Sequence, residues 1–198
     1  MTQRRRRRRA IVAVVLLGLL GGGWALVHRA MPSWYARLYY PLRYEQIIKQ
    51  EAKRYDLEPA LVAAVIKQES DWVPDERSQQ GAIGLMQLLP STAAFMATQS
   101  QRPSPKPDHL DRPEVNIPYG TRYLRYLLDR YSTVDAALVA YNGGEQNLVE
   151  WKRVAAAAGH PFRIPEDVPF TQTRDFVRGV LKSEAIYRRA YASRLRLG

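Results

Sequence analysis

From Glu45 onward, apolar residues return every three or four positions along most of the chain, the spacing of amphipathic helices. The segment EQIIKQEAKRYDLEP predicts a first helix, with Ile47, Ile48 and Tyr55 on broadly one side. Pro59 then suits the first turn of a second helix, ALVAAVIKQES. DERSQQGAIG reads as a turn-rich loop, and the short apolar LMQLLP leads into a third helix, STAAFMATQ, with Ser91 as its cap. QSQRPSPKPDHLDRPEVN carries four prolines and few large apolar residues, which predicts a surface loop. NIPYGTRYLRYLLDRY predicts a long helix with Leu124, Leu127, Leu128 and Tyr131 as its stripe. TVDAALVAYNGG, closed by Gly143 and Gly144, NLVEWKRVAAAAG and TQTRDFVRGVLKSEAIYRRAY predict three more. Strand signals are nearly absent and no internal repeat is visible. The expected fold class is all-α, with loops 73–84 and 100–116 as the rims of a cleft.

The front end follows another pattern. RRRRRR, Arg4 to Arg9, precedes an uncharged stretch of 18 residues from Ala10 to Val27, with no polar face. Taken alone the arginines would suit a nucleic-acid patch; set directly before an apolar span they read as a positive-inside signal. Span length and a poor cut site, with His28 three positions before a cut after Ala30, favour an uncleaved anchor over a cleaved signal. The expected organisation is therefore a cytoplasmic Arg-rich segment plus a membrane-spanning helix over 1–30, an aromatic-rich linker over 31–44, and one domain over 45–198 outside the cytoplasm. Trp34, Tyr39 and Tyr40 suit either the headgroup interface or packing on the domain.

Composition narrows the chemistry. Net charge is +11, but six of those charges are the arginine run, so the rest is only mildly basic and suits an anionic polymer. Cysteine is absent, which excludes disulfides, thiolate metal sites and a cysteine nucleophile. His28, His109 and His160 have no ligand-like spacing.

Three segments carry candidate chemistry. Counting back by fours from Glu69 gives Val65 and Leu61, so this carboxylate extends an apolar stripe. Apolar neighbours raise a carboxyl pKa, which suits a general acid; pairing with Lys67 or Arg77 at a solvated helix end is the alternative. In GAIGLMQLLPSTA, Gly81 and Gly84 permit tight turns and close approach of a ligand, and Gln87 is one polar side chain in an apolar run. A plain turn entering a helix explains the same residues. In AYNGG, Tyr141 and Asn142 stand where side chains reach into a groove, although Asn before Gly is also an ordinary helix ending.

Taken together, ES-x-W at Glu69 to Trp72, G-A-x-G-L-M-Q-x-x-P-x-T-A from Gly81 to Ala93, N-I-x-x-G-x-x-Y-L from Asn116 to Leu124, and A-Y-N at Ala140 to Asn142 closely resemble the lytic transglycosylases. VPFTQTRDFVRGVL resembles the family's closing motif, and the likeness spans roughly Tyr44 to Tyr191. It implies a lysozyme-like helical domain with a substrate cleft. It also implies an enzyme that cleaves the β-1,4 bond between N-acetylmuramic acid and N-acetylglucosamine in peptidoglycan, leaving 1,6-anhydromuramyl ends.

By the same resemblance Glu69 acts as acid and then as base, with Ser70 and Tyr141 as support. Met86, Gln87, Asn142 and Gly84 would contact the sugars. Asp71, Asp75 and Glu76 are read as loop and helix-end charges. No cofactor or metal is implied; the expected partners are peptidoglycan strands and the membrane, with no nucleic acid and a monomeric chain. Two departures stand out: Gln172 where the family often has Glu, and Gly143-Gly144-Glu145 where Ala-Gly-Pro is usual. A muramidase that uses water and a non-catalytic peptidoglycan-binding domain remain the alternatives.

Overall fold

The computed structural model describes residues 22, 32–99 and 104–197. The expected membrane span over 10–27 lies, apart from Gly22, outside the described residues. Among the described residues no helix is long and apolar enough to cross a membrane. The chain divides into two compact units between Pro41 and Leu42. In the first, the stretch expected as a linker contains helix α1, Ser33–Tyr39. Trp34, Leu38 and Tyr39 are exposed on it, and the Tyr35 and Tyr39 rings lie 4.8 Å apart.

The second unit is helical, as the spacing predicts: α2 Glu45–Arg54, α3 Pro59–Ser70, α4 Pro90–Gln99, α5 Pro113–Tyr131, α6 Val134–Gly143, α7 Glu145–Ala157 and α8 Thr171–Ala190. Among the described residues the only β pairing is two isolated bridges, Arg77 with Ile83 and Ile83 with Leu88. Helix α3 is the central element. Pro59 occupies its first turn, where a missing N–H costs nothing, and every residue from Pro59 to Ile66 is buried. A helix apolar all round needs partners on all sides. Its main partner is α8, whose inner face is Phe176, Val177, Val180, Ile186 and Tyr187; α2 packs alongside through Ile48 and Ala52.

Among the boundaries that differ from expectation, two fall at prolines. Helix α4 begins at Pro90, so Ser91 lies inside it and does not cap it. Helix α5 begins at Pro113, three residues before Asn116, because a proline is welcome at a first helical position; the expected surface loop is shorter by that turn. The buried face of α5 is Asn116, Ile117, Gly120, Thr121, Leu124 and Leu127, whereas Leu128 and Tyr131 are only half-buried. The helix therefore turns two polar side chains and a glycine inward, a choice that apolar counting misses.

The end of α3 is held under backbone strain. Asp71 and Trp72 both adopt positive φ, 48° and 68°, unusual for any residue with a bulky side chain. The Trp72 ring is fully buried, donates from Nε1 to the Tyr187 hydroxyl at 2.8 Å, and meets that ring edge-on at 6.0 Å. This anchor on α8 sets the direction in which the chain leaves α3, immediately after Glu69 and Ser70.

Candidate active site

A cleft of about 860 Å³ opens in the second unit. It is lined by the loop after α3, through Glu76, Ser78, Gln80 and Gln87, and by the end of α6 and the start of α8, through Asn142, Gly144, Phe170 and Gln172. Glu69, Tyr123 and Tyr141 line it as well. The expected rim 73–84 is thus part of the cleft, whereas no described residue of the expected rim 100–116 lines it. That segment lies beneath the loop, with Leu110 buried in a cluster with Ile83, Leu88 and Ala93.

Glu69 stands in the last turn of α3, one helical turn beyond the fully buried Val65. Among the described residues its carboxylate has no ion pair and no hydrogen bond, and the Lys67 ammonium pairs with Asp71. Desolvation pushes the Glu69 carboxyl up to about 8, so the group holds its proton at neutral pH. Ser70 follows it in the chain and turns inward: its hydroxyl donates to the carbonyls of Leu85 at 2.9 Å and Ile66 at 3.2 Å, tying α3 to the loop.

The loop is fastened from below by Asn116 of α5. Its Oδ1 accepts from the Met86 N–H at 2.7 Å, and its Nδ2 donates to the carbonyls of Ile83 at 2.8 Å and Leu110 at 2.7 Å. Gly84 makes this possible, with φ of +82° and no side chain; a Cβ there would lie 2.3 Å from the Leu110 oxygen and 2.4 Å from Asn116 Nδ2. The close approach expected at Gly84 is therefore made by Asn116. Met86 also departs from expectation. Its side chain is fully buried against Gly120 and Thr121 and does not line the groove. The backbone of Met86 carries the link to the cleft: its carbonyl accepts from the Tyr141 hydroxyl at 2.8 Å.

Tyr141 is packed between the rings of Tyr123 at 5.2 Å and Phe176 at 6.3 Å. Burial, and then the nearby charge of Glu69, hold its phenol well above the ordinary range, so it stays a neutral hydroxyl. Asn142 reaches the cleft with its Oδ1 taken by the Thr173 hydroxyl at 2.9 Å, which leaves the amide nitrogen available. Gln87 also lines the cleft, at φ of 44°, and spends its Nε2 on the carbonyls of Gly84 and Glu76 at 3.0 and 3.1 Å.

The structure thus gathers Glu69, Tyr141, Gln87 and Asn142 at one cleft, and places Ser70, Met86 and Gly84 behind it. Sequence reasoning passed over Asn116, Tyr123, Thr173 and Phe176 as site residues. All four stand inside the segments that carry the family resemblance, and Asn116 carried a further signal, a polar side chain on a buried helix face. Glu76, read as a loop charge, lines the cleft wall, whereas Asp71 is exposed and paired with Lys67. Among the described residues no group of His, Cys, Asp or Glu is arranged to hold a metal ion.

Comparison with known proteins converges on the same segment. Residues 46–160 match the Transglycosylase SLT domain family. The soluble lytic murein transglycosylase of Salmonella typhimurium is 33% identical over 151 residues, covering 75% of this chain and 23% of that protein. Among solved structures, the 70 kDa soluble lytic transglycosylase of Escherichia coli superposes with a TM-score of 0.69 at 31% identity, covering 78% of this chain and 25% of the other. An inactive Glu-to-Gln mutant of lytic transglycosylase Slt from Pseudomonas aeruginosa superposes with a TM-score of 0.71 at 27% identity, covering 86% and 28%. The chain spans about a quarter of the length of these relatives.

Proposed function

Because the chain belongs to the Transglycosylase SLT domain family, we propose that it is a peptidoglycan lytic transglycosylase. The substrate is the β-1,4 bond between N-acetylmuramic acid and N-acetylglucosamine. One observation carries the reading: a desolvated carboxyl in an open cleft, with no cation to ionise it and a pKa of about 8.

Glu69 gives its proton to the glycosidic oxygen as the C1–O bond breaks, and the substrate's acetamido group stabilises the cationic C1. The carboxylate then takes the proton of the muramyl 6-hydroxyl as that oxygen bonds to C1. The product is a 1,6-anhydro end, and Glu69 returns to its acid form without net consumption of water. Desolvation serves both steps, since it holds the proton until a basic oxygen arrives and makes the resulting carboxylate a strong base. Tyr141 lies near enough to Glu69 to feel its charge and commits its hydroxyl proton to the Met86 carbonyl, which leaves its oxygen free to accept from the Glu69 carboxyl once substrate is bound. Ser70 holds the helix end in place, and Gln87 and Asn142 meet the sugars. The domain works outside the cytoplasmic membrane, held there by the apolar span over 10–27.

Mass analysis of a digest of purified sacculi tests this. Wild type is expected to release anhydromuropeptides, and Glu69→Gln to release none while still binding the glycan; a fully active Glu69→Gln would refute the assignment. A second reading has one observation in its favour: Glu76 and Asp175 line the same cleft and supply carboxylates that a water-using muramidase requires. Reducing ends in place of anhydro ends in the same digest would establish it.

A further inference from the structure

Outside the cleft, the most continuous unused feature is a run of aromatic rings that starts beside Glu69 and leaves the cleft along α4 and α5. Tyr141 meets Tyr123 at 5.2 Å, Tyr123 stacks on Tyr126 at 6.2 Å with 15° between planes, and Tyr126 meets Phe95 edge-on at 5.3 Å. Tyr123 lines the cleft; Tyr126 lies one helical turn further along α5 on the same stripe. Helix α4 repeats the arrangement. Leu89 and Thr92 line the cleft, and Phe95 stands one turn beyond Thr92, about 4.5 Å further along the axis. Two neighbouring helices thus each carry an aromatic ring the same step outside the cleft, and the two rings touch. Phe95 remains 40% exposed, and Leu89, which lines the cleft, 39%.

We infer that Phe95 and Tyr126 form an outer subsite for the β-1,4-linked N-acetylated sugar chain, continuous with the cleft. The inference rests on the glycan-cleaving reading above and names how that site takes long strands. A pyranose ring shows water a face of C–H groups, positive at their edges, which pairs with the negative face of an aromatic ring. The rings of Tyr123 and Tyr141 are packed against one another and their neighbours, whereas Phe95, at the outer end of the series, keeps surface open to water that a sugar face can cover. A strand lying across Leu89 and Thr92 is thereby carried onto Phe95, and the exposed ring loses its contact with water. Other occupants of an exposed ring pair, such as a second copy of the chain, have no such continuity with the site.

The test compares full-length wild type, Phe95→Ala and Phe95→Trp on long glycan strands and on short oligomers that end within the cleft. Phe95→Ala is expected to raise KM on long strands about three- to tenfold, the equivalent of one lost ring contact, with the effect confined to strands that reach the ring. Phe95→Trp restores the wild-type value. Calorimetric titration with chitin oligomers of increasing length gives the same comparison without turnover. Should wild type cleave neither substrate, the catalytic reading falls, and the titration still decides the subsite. Equal loss on short and long glycans, no loss on either, or dimerisation that Phe95→Ala abolishes while oligomer affinity is unchanged would overturn it.

Discussion

Replacing Glu69 by Gln should make the protein more stable at alkaline pH and leave its stability almost unchanged in acid. A glutamate in the unfolded chain titrates near its ordinary value of 4.5, whereas in the folded chain burial moves it to about 8. Between these values the folded state keeps a proton that the unfolded state has released, so folding stability falls as pH rises, and the loss is complete above pH 8. The gap is worth roughly 4–5 kcal/mol at full ionisation, an upper figure because the cleft relaxes and admits water around the ionised group. A neutral glutamine of the same shape avoids that cost. For a chain of this size each kcal/mol moves the melting point by about 2–4 °C, so a difference on the order of 10 °C is expected at pH 9 and about 1–2 °C at pH 4.5. Thermal melts of both full-length proteins in one detergent, followed by circular dichroism, measure it. Shifted groups away from Glu69, such as Glu184 and Asp167, are common to the two proteins and cancel, and Tyr141, whose burial is the larger cause of its shift, stays neutral in both folds. An equal difference at both pH values, or a Gln variant that melts lower at pH 9, would refute a desolvated carboxyl at this position.

The remaining predictions concern the supports of the loop and of Gln68. Asn116→Ala strands the Met86 N–H and the carbonyls of Ile83 and Leu110 in a buried place, and should lower stability by about 3–5 kcal/mol in urea unfolding, with activity falling as the loop loosens. Gly84→Ala places a Cβ 2.3 Å from the Leu110 oxygen at a φ that alanine resists; a loss of about 3 kcal/mol or failure to fold is expected, read by expression and melting. Gly179→Ala separates function from stability. Alanine favours the helix by about 1 kcal/mol, yet its Cβ would lie 2.2 Å from Gln68 Oε1, so Gln68 must release Ser183 and swing into the cleft. Its melting point should barely move while KM on sacculi rises severalfold.

Asn116 also explains why the glycine-rich stretch invited a different reading. Glycines beside a glutamine look like a place where a ligand approaches the backbone, and Gly84 is indeed approached closely, but by the Asn116 side chain from within. A chain of hydrogen bonds then runs outward, from Asn116 to the Met86 N–H and from the Met86 carbonyl to Tyr141. Met86 joins the inner support to the cleft through its backbone alone, so the identity of its side chain says little about that link. The thioether fills the space that Gly120 leaves on α5.

The chain alone determined the helical class, the order of the helices, the proline that opens α3, the loop that follows Glu69, and the four motifs that mark the family. These are decided within a few residues of themselves: apolar spacing, caps and breakers act through local backbone geometry, so they are visible in a string of letters. Tertiary structure decided the rest. Whether Glu69 met Lys67, Arg77 or no cation depended on Lys67 turning to Asp71. Whether Met86 faced sugar or core depended on Gly120, and the partner of Tyr141 proved to be a carbonyl 55 residues away. Such choices are settled only when helices remote in sequence pack together, since a side chain's surroundings, and with them its pKa and its free hydrogen-bonding atoms, are the sum of what every neighbouring element brings.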